Sequence, residues 1–114
     1  MARDPRAYLW DVREAGRAIQ AFTRGMDREA FLAHPMAQAS VERKFEIIGE
    51  ALNQLSHRDP AMAARIPDRP KIVAFRNLLI HGYASVQAAT VWNTIESSLP
   101  GLLARVDALL DGLG

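Results

Sequence analysis

The chain has 114 residues, no cysteine, 49% hydrophobic and 24% charged residues, and a formal net charge of +1. Without cysteine there is no disulfide framework, thiol nucleophile, Cys-based zinc site or iron–sulfur cluster. No apolar run approaches the roughly 18 residues of a membrane helix, and no apolar h-region follows the first residues. The balance predicts one soluble, cytoplasmic domain spanning residues 1–114.

Gly and Pro divide the chain into a few long helical stretches. Asp4-Pro5 reads as an N-cap followed by proline at the first helical position. Behind it, Leu9, Val12, Gly16, Ile19 and Phe22 recur at steps of three and four, and Gly25 reads as the stop. Asp27 is placed to cap a short turn carrying Phe31 and Leu32, which ends before Pro35. The clearest helix follows: Val41, Phe45, Ile48, Leu52 and Leu55 keep one apolar stripe for about four turns. Asp59-Pro60 repeats the cap signal for a short helix, which Pro67 and Pro70 are expected to close. A further helix is predicted from Lys71 to about His81, with Gly82 as its left-handed stop. The last segment carries Val91, Ile95, Leu99, Leu102, Val106, Leu109 and Leu113, and Pro100 predicts a kink or break inside it. Period-two β-branched runs are missing. The expected architecture is all-α, an up-and-down bundle of four to five helices.

The charge is unevenly spread. Residues 1–56 balance to zero, residues 57–76 carry +3, and residues 77–114 carry −2. A basic stretch of this size attracts a polyanion locally, yet on charge alone it reads equally as a solvated loop.

Several chemistries are excluded by pattern. There is no phosphate-binding glycine loop, no G-x-G-x-x-G and no G-x-S-x-G. His34, His57 and His81 lack metal-ligand spacing, and Glu42, Glu46 and Glu50 share a helix face without an E-x-x-H partner. No metal and no cofactor are expected.

Two features carry chemistry. Gly49 lies inside the best helix, where glycine costs about 1 kcal/mol relative to alanine and usually permits close approach of another backbone. Glu50 follows it, either as a hydrated or arginine-paired surface acid or as an acid that orients an active-site group. Arg76 is the obvious partner for both. The second feature is Arg76-Asn77-Leu78-Leu79-Ile80-His81-Gly82-Tyr83. As pure structure this is a histidine at a helix C-terminus, an ion-paired arginine and a packed tyrosine. As chemistry, arginine binds phosphate and stabilises charge on a phosphorane, while histidine moves protons at a ribose 2′-hydroxyl or a leaving 5′-oxygen. On an ideal helix Arg76 and His81 point about 140° apart, so they converge if the helix unwinds at Gly82 or if a second copy contributes its own pair.

These residues resemble the R-N-x3-H-x-Y form of the R-x4-6-H motif in the HEPN superfamily. The closer likeness is to its HepT-like branch, the toxin half of MNT–HepT toxin–antitoxin systems. Arg3-Asp4 with Tyr8-Leu9, Ile48-Gly49-Glu50-Ala51, Val91-Trp92 and Leu99-Pro100 extend the likeness over nearly the whole chain. The resemblance implies a helical homodimer with the motifs in a shared cleft, on its own or within a larger hetero-oligomer. It also implies a metal-independent endoribonuclease acting as the toxin of a type VII-like pair. By the same resemblance Arg76 and His81 are catalytic, Asn77 and Glu50 support them, and Tyr83 is adenylylated by a cognate minimal nucleotidyltransferase antitoxin. Where relatives carry an acidic residue after the tyrosine, this chain has Ala84-Ser85-Val86-Gln87, and Ser85 is the expected cap of the next helix. The alternative is a non-catalytic nucleotide- or RNA-binding helical module that partners a nucleotidyltransferase.

Overall fold

The computed structural model describes residues 3–81 and 86–113. Among these described residues seven helices follow one another: α1 (Pro5–Phe22), α2 (Arg28–Leu32), α3 (Pro35–Arg58), α4 (Pro60–Ala63), α5 (Arg69–Ile80), α6 (Ala88–Ser97) and α7 (Leu99–Leu113). The described residues contain no strand, so the fold is an all-α bundle. Five of the helices are long; α2 and α4 are the short turns expected after Asp27 and Asp59. No helix among the described residues is long and apolar enough to cross a membrane.

The caps explain the starts. The Asp4 side chain accepts from the Arg6 backbone N–H, Asp27 from Ala30 and Asp59 from Met62, each satisfying a donor that lacks a helical partner. The 24-residue α3 begins at Pro35, well before its apolar stripe, because the His34 ring nitrogen Nδ1 accepts from the Ala37 N–H. At the end of α1, Gly25 adopts φ 79°, the left-handed turn that releases the chain toward α2.

The apolar stripes close on one core. Helix α3 packs against α1 on one side and α5 on the other, while α7 packs on α1 and α6. Leu9, Val12 and Ile19 of α1, the whole Val41–Leu55 stripe of α3, and Leu99, Leu102 and Val106 of α7 are buried. Phe45 meets Phe75 edge-on at 5.3 Å between ring centroids, joining α3 to α5. Phe31 packs on Trp92 at 5.4 Å, so α2 is pinned beneath α6.

Four sequence expectations change. Phe22 is exposed rather than part of the α1 stripe, because it lies in the last turn, where the chain bends away through Gly25. Pro70 does not close the preceding short helix; it sits in the first turn of α5, where a missing N–H loses no bond. Pro100 likewise stands in the first turn of α7, so the expected break falls at Ser98. The capping position of α6 is Gln87, without a side-chain cap bond. Ser85 and Gly82 lie outside the described residues.

Candidate active site

The C-terminal half of α5 runs beside the middle of α3. Gly49 makes this approach possible: a Cβ there would collide with the Cβ and Cγ of Arg76. The neighbour that needs the missing side chain is therefore the base of an arginine side chain rather than the backbone the sequence suggested. Arg76 is thereby held against α3, its side chain 19% exposed.

Three polar groups organise that arginine. Its Nη2 donates to Glu50 Oε2, and its Nη1 donates to Asn77 Oδ1 at 2.8 Å. Gln54 Nε2 in turn donates to Glu50 Oε1 at 3.0 Å, so both carboxylate oxygens are engaged. Charge-assisted bonds of this kind fix orientation as well as adding energy. The Arg76 Nε is buried without a hydrogen-bond partner among the described residues. The Glu50 side chain remains 46% exposed, on the water side of the pair.

The pair forms one wall of a cleft of about 290 Å³ between α1, α3 and α5. Tyr8 and Ile80 line it, with Arg3 bonded to Asp11 at 2.9 Å and Arg43 to Glu46 at 3.3 Å. Arg3 also lies over the Tyr8 ring, 4.8 Å from its centroid. Each arginine of the cleft thus carries its own carboxylate.

The sequence candidates are distributed as follows. Arg76, Asn77 and Glu50 are brought together. His81 is the C-cap residue of α5, exposed, with its backbone N–H bonded to Asn77 O, and it does not line the cleft that holds Arg76. Tyr83 lies outside the described residues. Sequence reasoning missed Gln54; its signal was the i, i+4 spacing from Glu50, which places both on one helical face. It also missed His34 as a cap.

Comparison with known proteins gives the family. A model of the HepT-like ribonuclease family matches residues 12–109. The chain is 34% identical over 109 residues to the probable ribonuclease HepT of Thermococcus cleftensis, covering 96% of this chain and 98% of that one. Two proteins of Methanocaldococcus jannaschii that bear RNase names are 29% and 30% identical, over 92% and 95% of this chain and 95% and 88% of theirs. No solved structure matches the chain. A helical bundle with an arginine anchored at a cleft defines the class, and the chain belongs to the HepT-like ribonuclease family.

Proposed function

We propose that the protein is a metal-independent endoribonuclease of a single domain, built as a cytoplasmic homodimer, in which Arg76 and His81 are the catalytic pair. The observation that carries this reading is the anchoring of Arg76 by Glu50 and Asn77 at a cleft wall, in a chain of a ribonuclease family. In the reaction, His81 takes the proton from a ribose 2′-hydroxyl. The freed oxygen attacks the adjacent phosphorus, the bond to the 5′-oxygen breaks, and the histidine imidazolium returns its proton to that leaving oxygen. Arg76 stabilises the charge that builds on the phosphoryl oxygens.

A second copy completes the site. Within one chain Arg76 faces the cleft while His81 sits exposed at the helix end, and Leu78 and Ile80 between them are 47% and 43% exposed. Exposed apolar side chains within the motif suit a two-fold interface that brings the partner's motif alongside.

The protein then acts as a toxin restrained by a minimal nucleotidyltransferase that adenylylates Tyr83, two residues beyond His81. An added adenylate brings bulk and negative charge next to the place the RNA phosphate must occupy.

The test is cleavage of RNA in excess EDTA. Wild type is expected to cut, and Arg76→Ala and His81→Ala to lose on the order of 10²–10⁴-fold in rate. Full cleavage by both variants overturns the assignment. RNA or nucleotide binding without turnover, unchanged in His81→Ala, would instead make the protein a binding module.

A further inference from the structure

A second cavity, of about 560 Å³, opens between α1 and α7 around Trp10, with Leu110 on the α7 side. Trp10 is 51% exposed, whereas the other tryptophan, Trp92, is 7% exposed. The guanidinium of Arg13, one turn along α1, lies over the Trp10 indole at 4.1 Å from the ring centroid. Its side chain is itself only 17% exposed, so a largely buried cation backs one face of the ring. Arg3 lines this cavity and the Arg76 cleft alike, so the two cavities adjoin at Arg3, near the start of α1.

We propose that the Trp10–Arg13 groove is a base-stacking subsite for single-stranded RNA, occupied by a nucleotide flanking the one cleaved. This rests on the nuclease reading of the Arg76 cleft. An RNA strand whose phosphate lies at Arg76 leads over Arg3 into the groove, where an indole backed by a guanidinium offers a flat, preoriented platform to a base. Arginines and carboxylates line the two cavities in equal number. Binding there consequently draws on stacking more than on phosphate charge, which gives low sequence preference and a weak response to salt. The groove makes longer strands better ligands than the reacting dinucleotide alone.

The experiment measures binding in the His81→Ala background, which prevents turnover, using end-labelled single-stranded oligoribonucleotides from the dinucleotide upward. Trp10→Ala is expected to weaken binding of the longer strands at least roughly fivefold, the lower end of what a stacked base contributes. Dinucleotide affinity stays unchanged, Trp10→Phe retains most of the binding, and the Trp10→Ala deficit is the same at low and high salt. Equal affinity of parent and Trp10→Ala at every length overturns the subsite and leaves the nuclease assignment standing. So does a Trp10→Ala defect confined to capture of a protein partner. Conversely, a length-dependent Trp10 effect with cleavage that survives Arg76→Ala and His81→Ala supports the subsite and removes Arg76 and His81 as the catalytic pair. No RNA binding by either protein overturns both.

Discussion

Gly49 on α3 lies directly under the Cβ and Cγ of Arg76 on α5, so the absence of one side chain sets the position of another. The contact involves the rigid base of the arginine rather than its flexible end, which leaves little room for adjustment. Gly49→Ala is expected to push α5 away from α3 and cost about 1–3 kcal/mol, as overpacking does, despite alanine's better helix propensity. Denaturant unfolding measures the loss. Cleavage should fall further than the folded fraction, because Arg76 is drawn away from Glu50 on α3.

Glu50 separates orientation from stability. A half-exposed ion pair contributes at most about 1 kcal/mol, so Glu50→Ala should melt close to wild type. RNA cleavage, by contrast, should drop on the order of 10²-fold, the scale of a misplaced reacting group. Glu50→Gln keeps an acceptor for Arg76 and should recover part of the rate. A parallel loss of Tm and rate in both variants would show that Glu50 only holds the bundle together.

Glu42 makes stability depend on pH. Burial first, and the neighbouring Glu46 carboxylate second, push its carboxyl above the ordinary glutamate range. The folded chain therefore holds this proton more tightly than the unfolded chain. As pH rises through that interval the proton is lost and the folded state gives up stability. Glu42→Gln should raise Tm at neutral pH, with the advantage vanishing in acid below the ordinary carboxyl range. Thermal melts across pH check this, and a constant difference at all pH values contradicts it.

Phe45 ties the core to the site. It is fully buried and meets Phe75, the residue before Arg76, edge-on. Phe45→Ala should cost about 3–5 kcal/mol in unfolding experiments, through the lost apolar contact and the cavity left behind.

Much of this was legible in the chain because periodicity and caps are local properties. The Val41–Leu55 stripe is buried throughout, and Asp4, Asp27 and Asp59 cap the helices they precede. The pairing of Glu50 with Arg76 followed from an acid directly after a helix-interior glycine. Proline was harder to read, since the same residue closes one helix or opens the next: Pro70 and Pro100 both proved to be first-turn residues. His34 escaped notice because a ring nitrogen acting as a cap has no strong sequence signature. Trp10 escaped because its neighbours Arg3 and Leu110 come from different parts of the chain, and only the packing of α7 on α1 makes a groove of them.

The carboxylate that steadies Arg76 is also a rival for it. A lone anion arriving from solution has to displace Glu50 or share the guanidinium with it, and gains little from the exchange. A strand already held elsewhere along the groove presents its phosphate at a far higher effective concentration than the same group free in solution. If RNA binds as proposed, the Glu50–Arg76 pair would act as a filter for polymers, passing over small cellular phosphates in favour of a phosphate that arrives as one link of a tethered chain.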